Sequence, residues 1–399
     1  MARFPVSTGK GRVSKVTFLT AKRPRSVIEL LEGLIRIPSI NPAFSGHRAD
    51  WAGEARVSDY LLNLARQSGL KVKLQSVEGR RKNLWVTLPA RGRRTQRIIL
   101  APHLDTVGVE DSAQLRSKLL NGRLYGRGAC DTKGSVAAMF FSLLELARRS
   151  VRPEHTEILF VGLVDEENAQ LGSRAFAAKC PDADLAIIGE PTRLKVVTAH
   201  KGDFWLQIET RGKAAHGSRP DLGRNAVLEM AKLVLALETE YAEELKTRRH
   251  PLLGHATINV GVIVGGKQPN MVPDGCRIHV DRRSLPGESL SDVQAELRRV
   301  ARTVGVKIEI VDLRQRPTLA LETDSSLPQV QNFIRQTGQK SVQGADFFCD
   351  AAIIGMAGVP CVVYGPGDIA QAHTRDEWIS VKSLKLGTQR LLRYLSSLP

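Results

Sequence analysis

The chain has 399 residues, too many for one ordinary core, so two domains are expected, each large enough to fold. Its 58 Lys and Arg against 41 Asp and Glu leave a formal charge of +17, which suits anionic small molecules, acidic lipid, nucleic acid or simply a solvated basic surface. The apolar run 136–147 is broken by Ser142 and Glu145 and falls short of the roughly eighteen residues of a membrane span, and Val16-Thr17-Phe18-Leu19 is too short for a secretory signal, so no membrane partner and no export are expected.

The head before Glu29 has no acidic residue and carries Arg3, Lys10, Arg12, Lys15, Lys22, Arg23 and Arg25. Residues 1–25 therefore read as a basic extension with too little apolar content to pack. The five cysteines, Cys130, Cys180, Cys276, Cys349 and Cys361, are odd in number and form no CxxC pair. Neither a disulfide framework nor a thiolate zinc site is indicated, and a reducing cytoplasm is the expected compartment.

Ser26 followed by Glu29 predicts a capping box, opening a helix whose apolar face is Val27, Ile28, Leu30, Leu31, Leu34 and Ile35 and which stops before Pro38. A second helix is expected over 52–67. From there to Ile188 strands alternate with helices, notably 133–149 and 173–179, as in a sheet wrapped by helices. The runs 98–100, 158–164, 185–188 and 361–364 are short, β-branched and almost free of charge, the pattern of strands buried on both faces. Between about 198 and 313 the rhythm changes to strand 204–210, helix 225–245, strands 257–264 and 276–283, helix 290–303 and strand 306–311. That β-α-β-β-α-β order is ferredoxin-like. After it, helix 328–336 and strand 361–364 return to the first domain. The expected fold is thus α/β: a mixed, mainly parallel, helix-wrapped sheet made of 26–197 and 314–399, with 198–313 inserted.

Polar residues stand at or just past the ends of these runs: His103 and Asp105, Asp131, Glu166 and Glu167, Glu190, and His373. Open α/β sheets bind ligands outside the carboxyl ends of their strands, so these positions converge on one site. Taken singly, each has an ordinary reading: the two Glu as a solvated helix start, His103 as a turn cap, His373 as a loop residue. Jointly they form a cluster of nitrogen and oxygen donors. His103, Asp131, Glu167, Glu190 and His373 are too many for one tetrahedral zinc, whereas two ions sharing one carboxylate would use them all. Asp131 is the best candidate bridge. Asp105 lies two residues past His103 and can accept the proton of the imidazole nitrogen that faces away from metal. Of the neighbours Glu166 and Glu167, one is a ligand and the other the acid/base, and the residues alone do not say which.

The segments APHLDTV, YGRGACDTKGSVAAM, VDEENAQLGS, IIGEPT, GKAAHGSRPDLGRNAV, PNMVPDGC, VDRRSLP and GPGDIAQAHTRDE follow one another in an order and spacing that resembles the M20 metallopeptidases. The resemblance spans residue 27 to the C-terminus. It implies a zinc-exopeptidase-like catalytic domain with a lid that dimerises, and two Zn2+ per subunit, with Co2+ as a substitute. One ion would be held by His103, Asp131 and Glu190, the other by Asp131, Glu167 and His373. Glu166 would be the general acid/base, Asp105 the residue orienting His103, and His216 an oxyanion-steadying residue reaching from the lid, commonly that of the partner subunit. Asn270 and Arg283 fall in the motifs that hold the substrate carboxylate. The implied reaction is amide hydrolysis: Glu166 takes a proton from a metal-bridging water and returns it to the departing amine.

Glu190 in GEPT, where peptidase and aminoacylase branches tend to carry Asp, and the segment GPGDIAQAHTRDEW resemble the acetylornithine deacetylase branch. At Phe348-Cys349-Asp350-Ala351 the chain departs from the Thr-Ser element of the succinyl-diaminopimelate desuccinylases. The expected substrate is a small anionic N-acyl amino acid or peptide, with the desuccinylase and dipeptidase or carboxypeptidase reactions as alternatives. A non-catalytic nucleic-acid binder would require aromatics interleaved with basic residues, and aromatics make up only 5% of the chain.

Overall fold

The computed structural model describes residues 22–46, 48–149, 152–314 and 318–399. The basic extension expected over 1–25 lies outside these residues except for 22–25, where Pro24 is buried and the Arg23 guanidinium donates to the Leu144 carbonyl at 3.2 Å. The first helix, Val27–Ile35, is capped by the Ser26 hydroxyl accepting from the Glu29 amide. The Glu29 carboxylate accepts from the Arg25 amide instead of that of Ser26, so only half of the expected capping box forms.

The large sheet runs Lys71–Ser76, Lys82–Leu88, Thr156–Gly162, Gln96–Pro102, Leu185–Gly189, Cys361–Val363, Val197–His200 and Leu321–Glu322, with Gln343–Ala345 also on Val197–His200. Its four central strands, from Thr156–Gly162 to Cys361–Val363, are mutually parallel. Consecutive residues of these strands alternate between two separate cores. Ile98, Leu100, Ile158, Phe160, Leu185, Ile187 and Val362 face a core built with helices Val27–Ile35, Ala55–Gln67, Lys133–Arg148, Pro328–Gln336 and Val381–Ser396. Ile99, Ala101, Leu159, Val161, Ala186, Ile188 and Val363 face the other, closed by the short helices Leu171–Ala177 and Ala351–Gly355. Both faces are therefore dry, which is why the sequence runs are apolar without alternation.

The inserted sheet has the order Thr257–Gly265, Gly275–Ser284, Gly202–Arg211, Ile308–Asp312, with every pairing antiparallel. This is the ferredoxin-like arrangement. Helix Leu290–Thr303 and the helix beginning at Ala226 cover one face only, so the strands alternate between buried and exposed positions. The single helix expected over 225–245 is interrupted by a π turn at Leu237–Tyr241 between Ala226–Ala236 and Ala242–Thr247. Residues 198–200, expected at the start of the insertion, pair within the large sheet, and the chain enters the inserted sheet at Gly202. A third, small sheet, Lys118–Leu120, Arg123–Tyr125 and Trp378–Ser380, was not expected from the pattern because its strands are only three residues long. No helix among the described residues is long and apolar enough to cross a membrane.

Candidate active site

The four central strands end together, and the polar residues that follow them meet there. His103 follows Gln96–Pro102 directly, Glu190 follows Leu185–Gly189, Glu166 and Glu167 come four and five residues after Thr156–Gly162, and His373 returns on the loop after Cys361–Val363. Asp131 stands just before helix Lys133–Arg148, where the helix dipole favours an anion. Its carboxylate is shared: Oδ1 lies 3.1 Å from His103 Nε2 and Oδ2 lies 3.2 Å from His373 Nε2. Glu190 Oε1 is 3.8 Å from His103 Nε2, and Glu167 Oε2 is 3.0 Å from His373 Nε2. Ligand atoms of His103, Asp131 and Glu167 all lie within 4.8 Å of one another. The site is buried on its His103 side, whereas the His373 side chain remains 55% exposed, which leaves an entry from solvent.

Asp105 is fully buried and accepts the amides of Glu166 and Glu167, both at 3.2 Å. Its carboxylate is 3.5 Å from His103 Nδ1, while its own main-chain oxygen is nearer, at 3.1 Å. It thus holds the imidazole and the Glu166–Glu167 turn in one register. Behind it runs a buried relay that sequence reasoning missed. Asn41 donates to Asp105 at 2.8 Å and to Asp165 at 2.9 Å, Arg81 donates to Asp165 at 2.6 Å, and the same guanidinium pairs with Glu54.

A second missed residue is Glu377, which is 2% exposed. It accepts from Arg127 Nη1 at 2.8 Å and from the amides of Gly128, Cys130 and Asp131 at 2.8, 2.8 and 2.9 Å. The small sheet brings it there, since Trp378 pairs with Tyr125. Gly128 has φ +79°, and a Cβ at this position would come within 2.9 Å of Thr106 Cγ2, so the loop that carries Asp131 needs glycine there. Glu377 and Gly128 together aim Asp131 at both imidazoles.

The electrostatics are those of acids crowded away from water. Burial, joined by the charges of neighbouring carboxylates and opposed by His103, raises Glu166 and Glu190 well above the carboxylate range. Burial and the Asp131 charge bring Glu167 to about 7. Asp131 is held low despite its burial because it accepts from both imidazoles. His373 rises to about 10 through its hydrogen bonds to Asp131 and Glu167, and His103 rises well above its usual value because its carboxylate partners outweigh burial. Oxygen Oε1 of Glu167 is buried without a hydrogen-bond partner among the described residues. A set of two imidazoles and several under-compensated carboxylates, one with an orphaned oxygen, fits borderline divalent cations such as Zn2+ or Co2+.

The residues expected from the inserted domain make their hydrogen bonds outside this cluster among the described residues. His216 is exposed, with Nδ1 2.7 Å from the Ser218 hydroxyl, and its segment bridges to Met271, where the Gly217 amide donates to the Asn270 carbonyl. Among the described residues, neither His216 nor Asn270 makes a hydrogen bond or ion pair with the cluster. Arg283 uses Nε and Nη2 on Asp281, at 2.9 and 3.0 Å, which leaves the Nη1–Nη2 edge for a carboxylate.

Residues 99–397 match the family described as Peptidase family M20/M25/M40. The chain is 33% identical to an acetylornithine deacetylase of Proteus mirabilis over 369 residues, covering 89% of this chain and 92% of that one. Among solved structures it is similar to aminopeptidase PepT of Bacillus cereus, with a TM-score of 0.74 and 22% identity over 93% of this chain and 97% of that one. It is also similar to a dinuclear metal-binding peptidase of the M20 family from Bacillus subtilis, with a TM-score of 0.68 and 13% identity over 93% and 96% of the two chains. The chain therefore belongs to peptidase family M20/M25/M40, and it is a metal-dependent hydrolase.

Proposed function

We propose that this protein removes the acyl group from an N-acyl amino acid, in the manner of an acetylornithine deacetylase acting in arginine biosynthesis. The observation that carries the reading is the Asp131 carboxylate, which offers one oxygen to His103 and the other to His373 with Glu190 and Glu167 on its flanks. His103, Asp131 and Glu190 would hold one divalent ion, and Asp131, Glu167 and His373 the second. When bound, the pair supplies Lewis acidity toward the scissile carbonyl and acidifies water.

The protein's own groups do the rest. Glu166 is buried, and its raised proton affinity suits a residue that takes a proton from the attacking water and later gives it to the departing amine. Asp105 fixes the backbone of Glu166 and so its reach. His216 donates to the developing oxyanion, coming from the inserted domain of this chain or of a second copy, since within one chain it is exposed and bonded to Ser218. Arg283 receives the substrate carboxylate on its Nη1–Nη2 edge, and Asn270 acts from the segment that bridges to His216. We infer a cytoplasmic homodimer formed through the inserted domain. Its exposed Leu228, Leu235, Val262, Ile263 and Val264, 43–66% accessible, are supporting observations.

The test is release of acetate from N-acetyl-L-ornithine by zinc- or cobalt-loaded protein, beside N-succinyl-diaminopimelate and simple dipeptides, with Glu166→Ala as control. Turnover of the first substrate alone, lost in the control, is expected. Cleavage of a dipeptide instead would keep the chemistry and transfer the substrate to the peptidase reading, and no cleavage of any amide would overturn the proposal.

A further inference from the structure

Phe348, where the chain departs from the desuccinylase element, faces two arginines. The Arg283 guanidinium carbon lies 5.8 Å and that of Arg314 5.0 Å from the Phe348 ring centroid, and Arg314 also lies 3.9 Å over Trp205. Phe348 adjoins Cys349, on which the charges of Glu190 and Glu166 act, and the Glu166 charge also acts on Arg314. The stack therefore joins the root of the inserted domain to the Phe348–Cys349 segment, on the side of the large domain where the Glu166 charge is felt. Trp205 is on the strand that enters the inserted sheet, and Arg314 lies two residues past the strand that leaves it.

Asp203 is the element both arginines share. It is fully buried and pairs across the strands with Arg283. Arg314 Nη2 is 3.1 Å from its Oδ2, and Arg283 Nε is 3.8 Å from its Oδ1. Among the described residues neither carboxylate oxygen has an aligned hydrogen bond, and burial raises Asp203 to about 6 against the pull of both arginines. A buried carboxylate in this state recruits whatever cation is nearest. Arg314 is held to it from the other side by Thr318 at 3.2 Å.

We propose that Arg314 is a positioning residue of the substrate pocket: by neutralising Asp203 it leaves Arg283 on Asp281, with its Nη1–Nη2 edge turned over Phe348 to receive the substrate carboxylate. This rests on the deacylase reading for its substrate, although not for its geometry. Without Arg314, Arg283 turns to Asp203 and the carboxylate loses its grip, while the metal cluster is untouched.

The experiment compares Arg314→Met, Arg314→Lys, Asp203→Asn and the double variant Asp203→Asn/Arg314→Met. Arg314→Met should raise KM for the cleaved N-acyl amino acid about tenfold or more and leave kcat within about twofold, as for a lost charge-assisted contact made equally in ground and transition states. Arg314→Lys keeps the charge but loses the planar stack and should fall between. The double variant removes the buried charge together with its partner and should recover KM; the visible spectrum of bound cobalt should be the same in all. An unchanged KM in Arg314→Met, or a double variant no better than the single one, overturns the inference. A crystal structure of Arg314→Met decides it without turnover: Arg283 on Asp203 is expected, and Arg283 still on Asp281 overturns it. Failure of the wild-type protein to cleave any amide would count against the deacylase reading alone.

Discussion

The two largest sheets among the described residues solve opposite problems. In the large sheet the strands Gln96–Pro102 and Leu185–Gly189 are buried on both faces over their apolar residues, and the polar groups of the cluster gather past their carboxyl ends, where they are packed against one another. In the inserted sheet the strands Gly202–Arg211 and Gly275–Ser284 alternate, one face covered by helices and the other open. The first arrangement packs a set of candidate ligands from distant parts of the chain into a buried cluster. The second leaves residues such as His216 exposed on the inserted unit. Convergence belongs to the two-sided sheet and accessible surface to the one-sided one.

The sharpest way to break this contrast is at Glu166. Glu166→Ala should lower kcat by about 10²–10⁴-fold with little change in cobalt affinity, read by steady-state kinetics and metal titration. A loss of metal instead would make Glu166 a ligand and not the acid/base. Glu377→Gln should come next. It leaves Arg127 buried without its anion, and a cost of about 3 kcal/mol is expected in urea unfolding, together with weaker metal binding. His216→Ala should lower kcat by about 10²-fold, the scale of a lost oxyanion donor, yet leave the unfolding midpoint unchanged because the side chain is exposed. A fall in stability there would show that the open sheet depends on His216 for more than chemistry.

The smallest effect concerns pH. His200, buried in the large sheet with Nε2 unpartnered, is pushed down by burial to about 4 from an ordinary 6.5. Between these values the unfolded chain binds more protons, so stability present above pH 6.5 is lost as pH falls toward 4. In His200→Gln the slope of unfolding free energy over that window should be shallower than in the wild type, measured by denaturant titration at several pH values.

The sequence by itself determined the buried strands, the ferredoxin-like order of the insertion and the polar residues of the candidate metal cluster. Each of these is written locally: a β-branched run without charge, a change of period, a His or carboxylate next to the run's end. Glu377 was not legible, because it meets the Asp131 amide from 246 residues away through a strand of three residues. Nor were Arg81, which reaches Asp165 across 84 residues, and Arg314, whose partners Asp203 and Trp205 on one strand and Phe348 in a later segment are all distant from it in the chain. Hydrogen bonds and ion pairs of this kind leave no periodic trace, because a charged residue reads the same in solvent and in a pair. Only tertiary packing removes the water and so decides which charges must find one another.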